Sequence, residues 1–359
     1  MARSAVQRES QVNTSKSKNH QQQPQAEQDT CAITTLLISV IICTYNRADF
    51  LAAALKTVCA QTLCTAEYEV IVVNNNSTDD TATVAQRIAQ KHPNVRLYRE
   101  LQQGLSHARN RGWQEANGKY VAYIDDDCTV PPEWLSEAQA IITRMAPGVF
   151  GGPFFAAYTT PKPAWFKDEY GSHIPYAQAT HIQGTEGGLY GGNLFVTRSL
   201  LEQVGGFNPQ LGMAGEKMAY GEETAMVRAI YAMQPKTLLY YDPKLWVYHA
   251  VRPEKMNIRW LMRQRFTNAR YMTRIANEKP PRISRIGLLL RIGKAGLRFL
   301  FSLTIEALFW NRKRFPHFQN YLYENAFQHL FALGSLYEQY DQVKSRKTET
   351  TMEKTYLRQ

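Results

Sequence analysis

Three carboxylates stand side by side at Asp125, Asp126 and Asp127, directly behind the apolar run YVAYI. Adjacent carboxylates repel one another, and the cost falls when a cation neutralises them. Hard oxygen ligands of this kind suit Mg2+ or Mn2+, which keep waters and bridge to substrate phosphates. Two further polar clusters, Thr44-Tyr45-Asn46-Arg47 and Asn74-Asn75-Asn76, also close apolar runs. An amide offers both a donor and an acceptor, which suits a uracil or ribose edge, and Arg47 carries the charge to pair with phosphate. In SHARNRG, Arg109 and Arg111 with His107 either touch a diphosphate or form a solvated helix face. Glu222 and Glu223 open the stretch EETAMVRAI. Paired acids at a helix start complement its dipole; if that end faces the aspartates, one of them can instead act as general base. His249, in VYHAVRP, is either a further metal ligand beside Asp125 and Asp127 or a structural histidine. Ser77 or Thr78, with Asp79 and Asp80, reads as a helix N-cap and first turn.

Such residues do chemistry only if the chain brings them together. ISVIIC is a short, continuous apolar run, as expected of a strand buried on both faces. It leads through TYNR into the helical stretch DFLAAALKTVCAQ. EVIVV ends in NNNSTDD and opens a second helix; VRLY precedes GLSHARNRGWQEAN, and KYVAYI runs into the aspartates. Strands alternating with helices mean βαβ units and a mainly parallel, doubly wound sheet. Ligands bind such sheets at the carboxyl ends of the strands, and all three polar clusters fall there. Residues from about Gly148 to Gly192 are rich in Gly, Pro and aromatics, the composition of a long functional loop. After Asn257 the pattern is helical.

The chain has 359 residues, 44% of them hydrophobic, enough for one α/β domain with an extension. Its formal charge of +11 points to anionic company: phosphates, nucleotides, nucleic acid or an acidic membrane surface. The positive charge is concentrated after Arg252, and the aspartate cluster opposes nucleic acid, so no nucleic-acid partner is expected. Five cysteines show no CxxC pair or zinc spacing, which fits reduced thiols in the cytosol. No apolar run reaches the roughly 18 residues of a spanning helix.

In order, ISVIICTYNR, VIVVNNNSTDDT, GLSHARNRG, YVAYIDDDCTVPPEWL, GGNLFVTR and YGEET resemble family 2 of the inverting glycosyltransferases, over about Ile38 to Arg252. The resemblance implies a GT-A fold: a Rossmann-like, mixed, mainly parallel sheet with flanking helices, here with a helical C-terminal extension. It places Cys43, Thr44, Tyr45, Asn46 and Arg47 in the first nucleotide-binding loop. Asn75 stands where the family usually has an Asp that reads the base. Asp125 and Asp127 flank the DxD motif, with Asp127 as metal ligand and Asp126 near the ribose. Glu223 matches the catalytic base, normally Asp in an ED pair. The implied activity moves a sugar from a nucleotide diphosphate-sugar, UDP-linked by preference, onto a hydroxyl of a glycan or lipid-linked saccharide. It would be a single displacement assisted by Mg2+ or Mn2+, with a loop near Thr159 to Gly188 closing over the donor. The QxxRW of processive members is missing its Gln in the comparable stretch ending Arg259-Trp260, which argues against a polymer-extruding synthase.

These readings divide the chain into a disordered segment at 1–35, a catalytic domain at 36–256, a helical region at 257–342 and a flexible tail at 343–359. RIGLLLRIGKAGLRFLFSLTIEALFW mixes basic with aliphatic and aromatic residues. It suits a helix lying on the inner face of a membrane or one packed on its own domain. A nucleotidyltransferase usually carries a Gly-rich loop after the first strand, and TYNRAD is not that loop. A nucleotide-sugar-binding protein without catalysis is the remaining alternative.

Overall fold

The computed structural model describes residues 36–183, 188–276, 281 and 283–356, with side chains as far as Ser345. The segment expected to be disordered, at 1–35, and Arg282 lie outside the described residues. The first half of the chain alternates as anticipated: β1 (Ile38–Thr44), α1 (Ala48–Val58), β2 (Tyr68–Asn74), α2 (Thr81–Ala89), β3 (Val95–Arg99), α3 (Leu105–Gln114) and β4 (Tyr120–Asp125). Then follow β5 (Cys128–Thr129), α4 (Trp134–Met145), β6 (Val149–Gly151), β7 (Phe154–Tyr158), α5 (Asp168–Gly171), β8 (Thr180–His181), β9 (Asn193–Thr197), α6 (Arg198–Val204), α7 (Glu222–Met233), β10 (Leu239–Tyr241) and β11 (Val247–Val251).

Eight strands form one sheet in the order β3-β2-β1-β4-β9-β6-β10-β8. The half of the sheet from β3 to β4 is parallel, whereas β9 enters between β4 and β6 antiparallel to both. A small sheet, β5-β11-β7, stands beside it. The apolar run of β1 is buried on both faces. Val40 and Ile42 pack with Leu51, Leu55 and Val58 of α1, while Ile41 joins Ala108 of α3 on the other side. Each such side chain stabilises the fold by roughly 1.5–3 kcal/mol. Gly112 lets α3 lie flat on the sheet: a Cβ there would come within 2.5 Å of the Ile41 Cγ2.

A 3₁₀ turn (Pro253–Met256) leads into the C-terminal helices: α8 (Ile258–Ala276), α9 (Arg285–Leu303), α10 (Ile305–Leu308), α11 (Phe318–Tyr321), a π-helical turn (Leu322–Ala326) and α12 (Phe327–Tyr356). Residues expected to form a flexible tail from 343 continue α12 as far as Tyr356. Arg270 and Arg274 of α8 clamp the buried Glu338 of α12 at 3.0 and 2.7 Å. This region shares an apolar cluster with Phe166 and Tyr170, so it is built onto the long loop of the catalytic half. Among the described residues no helix is long and apolar enough to cross a membrane. Cys43, Cys59 and Cys128 are free thiols. Cys64 is disulfide-bonded, contrary to the expectation of reduced cysteines, because spacing alone carries no connectivity.

Candidate active site

β1 and β4 are parallel neighbours, and their register sets Cys43 beside Asp125. The turns that leave these strands therefore open on the same side, and they border a cavity of about 420 Å3. Cys43, Thr44, Tyr45, Arg47, Asn75, Arg109, Asp125, Asp126, Asp127, Glu222, Glu223 and His249 all line it. Strand ends in the sequence pointed to the Thr44–Arg47, Asn75 and Asp125–Asp127 clusters; Arg109, Glu222, Glu223 and His249, which the sequence offered with alternatives or through the family resemblance, border the same cavity.

Cations of the protein organise the acids. Arg47 Nη1 donates to Asp126 Oδ1 at 2.8 Å and to Asp127 Oδ2 at 3.0 Å. Arg109, only 3% exposed, reaches Glu222 Oε1 at 2.8 Å, Asp125 Oδ1 at 3.2 Å and the Gly191 carbonyl at 3.1 Å. The Tyr190 hydroxyl donates to Asp125 Oδ2 at 2.8 Å. Backbone must come very close for this: a Cβ on Gly192 would fall 2.4 Å from Asp125 Oδ2. Burial raises Asp126 to about 6 against the pull of Arg47. At Asp127 burial acts the same way, but Lys255, His249 and Arg47 outweigh it and hold the carboxyl well below its ordinary range.

α7 begins at Gly221, whose φ of +87° and crowded Cβ position, 2.2 Å from Ile275 Cδ1, admit glycine alone. This sharp entry presents Glu222 and Glu223 to the cavity. Burial, then the charge of neighbouring Glu222, pushes Glu223 up to about 8. Glu222 is also raised by burial, although Arg109 opposes it.

β11 pairs with β5 so that His249 lies opposite Cys128, next to the aspartates. His249 Nε2 is 3.5 Å from Asp127 Oδ1, and Lys255 Nζ touches both groups, 3.1 Å from Nε2 and 3.4 Å from Asp127 Oδ2. Burial and Lys255 lower the imidazole to about 4, which leaves it uncharged at neutral pH. A carboxylate oxygen and a neutral imidazole aimed at one spot, already drawing an ammonium, fit a divalent cation. Among the described residues no group of three or more His, Cys, Asp or Glu could hold a metal unaided. Two protein ligands would leave the other positions to phosphate and water, as Mg2+ prefers.

Some expected contacts go elsewhere. Asn46 is exposed and does not border the cavity; its Oδ1 accepts from Thr78 N at 2.8 Å, and its N–H donates to Ser77 Oγ at 3.0 Å. Ser77 and Thr78 thus brace the loops that follow β1 and β2 rather than cap α2, while Asp79 Oδ1 accepts from Thr81 N at 3.0 Å. Asn75 is saturated: its amide donates to the carbonyls of Glu100 and Gln102 and accepts from Gly104 N and Gln103 Nε2. An amide has two protons and two lone pairs, so this one holds the loop before α3 and has no group left for a base. Arg111 pairs with Glu115 at 2.9 Å, on the solvated face foreseen as the alternative. Burial lifts the Cys43 thiol to about 12, which makes it a wall of the cavity rather than a nucleophile.

Sequence reasoning missed Tyr190, Lys255 and an aromatic wall of Tyr170, Trp260 and Tyr323. Trp260 belongs to the stretch compared with QxxRW, and Gln264, one helical turn on, also reaches the cavity. Tyr323 comes from the π-helical turn, a distortion common at functional sites.

The profile described as "Glycosyl transferase family 2" matches residues 39–205. Glycosyltransferase AglE of Haloferax volcanii is 30% identical over 184 residues, covering 51% of this chain and 60% of that protein. The chain thus spans less than two thirds of that relative's length. The glucosyl-dolichyl phosphate glucuronosyltransferase of the same organism is 24% identical over 243 residues, 64% of this chain and 74% of that protein. Among solved structures, the mannosyltransferase PcManGT from Pyrobaculum calidifontis, in complex with GDP-Man and Mn2+, shares the fold. It superposes with a TM-score of 0.54 at 19% identity, covering 85% of this chain and 87% of that one.

Proposed function

We propose that this chain is a glycosyltransferase of family 2, whose profile matches residues 39–205, and that it transfers a sugar from a nucleotide diphosphate-sugar to an acceptor hydroxyl, with inversion. One observation carries this reading: two arginines, three aspartates, a buried imidazole and a raised glutamate border a single cavity at the carboxyl ends of parallel strands. Glu223, lifted to about 8 by burial and the Glu222 charge, favours catalysis over mere binding, because such shifts cluster at functional sites.

The Thr44–Arg47 turn would receive the nucleotide, with Arg47 beside the diphosphate and Asp126 beside the ribose. Asp127 and His249 would hold Mg2+ or Mn2+, which when bound offsets the charge developing on the leaving diphosphate. Glu223 would take the proton of the acceptor hydroxyl as it attacks the anomeric carbon from the face opposite the leaving group. Arg109 and Tyr190 fix Asp125 and Glu222, so that little reorganisation accompanies the step. Tyr170, Trp260 and Tyr323 give an acceptor sugar apolar ring faces to lie against.

The acceptor is proposed to be lipid-linked, and the C-terminal helices support this. α9 turns Leu288 and Ser302 inward, yet leaves Ile286, Leu289, Leu290, Leu297 and Leu300 exposed, and Leu308 and Phe309 extend the row. Arg291, Lys294 and Arg298 flank that row and are exposed. One helix therefore packs on its own domain and also presents an apolar, basic face suited to the inner leaflet. The alternative of a non-catalytic nucleotide-sugar-binding protein separates cleanly. Release of free sugar from UDP- and GDP-linked donors, dependent on Mn2+ and lost in Asp127→Ala, is expected. Tight donor binding with no release or transfer would leave only the binding module.

A further inference from the structure

We infer that Lys255 is a built-in counter-ion of the Asp127–His249 pair, holding the divalent cation's place until a nucleotide diphosphate arrives. The inference rests on the cation site proposed above. Lys255 sits on the 3₁₀ turn that follows β11, six residues beyond His249. Its Nζ is 3.1 Å from His249 Nε2 and 3.4 Å from Asp127 Oδ2.

The two occupants exclude each other. Lys255 Nζ stands 3.1 Å from His249 Nε2 and so fills the place that a metal ion bound to that nitrogen would need. Asp127 Oδ2 is engaged as well, by Lys255 and by Arg47 Nη1 at 3.0 Å. A cation entering the free protein must therefore expel an ammonium from two partners in a poorly hydrated site, where that exchange is costly.

A diphosphate changes the balance. It brings negative charge to the mouth of the site and so gives the displaced ammonium a new partner. The lysine stem has four rotatable carbons, and the side chain is 19% exposed, so it can swing without moving backbone. Cation and nucleotide then bind together rather than in either order. The coupling is reciprocal: each raises the other's affinity by the same factor. Such a device keeps the three aspartates from collecting a divalent cation when no donor is present.

The experiment is Mn2+ binding to the full chain, read by the electron paramagnetic resonance of the free ion and by calorimetry. Wild type, Lys255→Met and Lys255→Arg are each titrated alone and with UDP or GDP. Wild type should bind Mn2+ weakly alone and at least about tenfold more tightly with the nucleotide, within the usual range of such couplings. Lys255→Met should bind Mn2+ alone about tenfold more tightly than wild type, with a correspondingly smaller gain from nucleotide. Lys255→Arg, which keeps the charge, should follow wild type. If Lys255→Met does not fold, Lys255→Gln is read the same way. A Lys255→Met protein that binds Mn2+ no better than wild type overturns the inference while leaving the cation site standing. Failure of every form to take up Mn2+, with or without nucleotide, removes the cation site and this inference with it. The first result leaves transfer untouched; the second withdraws its Mn2+ dependence, and the donor assay reads transfer itself separately.

Discussion

Replacing Arg109 with Met removes the cation that two buried acids share. Glu222 is 6% exposed and bonded at 2.8 Å; Asp125 is bonded at 3.2 Å and retains the Tyr190 hydroxyl. Breaking a buried pair from one side costs about 3–5 kcal/mol, because the remaining charge is left uncompensated. Most of that cost belongs to Glu222, since the Asp125 side chain is a quarter exposed and is screened by water. The guanidinium also lies 5.7 Å from the Tyr123 ring centre and 5.4 Å from that of Phe207, contacts that the Met side chain partly keeps. Against a total stability of about 5–15 kcal/mol the loss is severe, so urea unfolding at several pH values is the assay. Burial already raises the folded-state pKa of Glu222, and loss of Arg109 raises it further. An acid with a raised folded pKa binds more protons folded than unfolded, so stability falls as pH rises above the unfolded value. The variant should therefore be penalised least near pH 4.5 and most at neutral pH. Adding Glu222→Gln should recover more than half of the loss at pH 7. A cost below about 1 kcal/mol, the ceiling for an exposed pair, or no recovery in the double variant, would show that the bridge does not carry this energy.

Glu223→Gln keeps the shape but cannot accept a proton, so turnover should drop ~100-fold or more with donor affinity retained. Survival of Glu223→Gln alongside a dead Glu222→Gln would reverse the assignment. In the wild type the base works when deprotonated; with Glu223 raised to about 8, turnover should climb as pH passes from 7 to 9. A rate that is flat over that interval would contradict it. Asn75→Asp should cost about 1–3 kcal/mol, because two carbonyls lose their donor; a melting temperature equal to wild type refutes the bracing role. Vesicles test the α9 face: sedimentation with anionic but not neutral lipid is expected, weakened by salt and by Leu297→Glu with Leu300→Glu. Each Lys or Arg near such a surface is worth about 1 kcal/mol, so absence of binding at low salt would exclude the membrane role.

Strand ends were legible because a buried parallel strand must be continuously apolar, and ISVIIC, EVIVV and KYVAYI each stop at a polar cluster. That period fixed where Asp125, Asn75 and Arg47 would come to lie. The destination of each polar side chain was not legible, since it depends on loops distant in sequence. Asn75 bonds Gln102 across 27 residues, and Asn46 bonds Thr78 across 32. A turn former and a ligand-reading amide look alike until those partners are placed. Lys255 carried no signal in a chain already rich in Lys and Arg. The α9 helix hid a different ambiguity: core packing and surface docking both call for amphipathicity, and it satisfies both, with inward Leu288 and outward Leu297.

The charge pattern also bears on which glutamate acts. Five carboxylates line one cavity, and among the described residues the ion pairs go to four of them: Asp125, Asp126, Asp127 and Glu222. A general base must offer a lone pair to the incoming proton, and its proton affinity should lie near the working pH. Glu222 gives an oxygen to Arg109, and its protonation would break a bridge that Asp125 shares. Asp127 is held anionic by its cations, which suits a ligand and not a base. Glu223 stands one residue along the same first turn, where burial and the Glu222 charge raise it to about 8. Arg109 thus separates two neighbouring identical side chains: it bonds Glu222 and opposes the rise that burial gives it, whereas burial and then the Glu222 charge lift Glu223 to about 8.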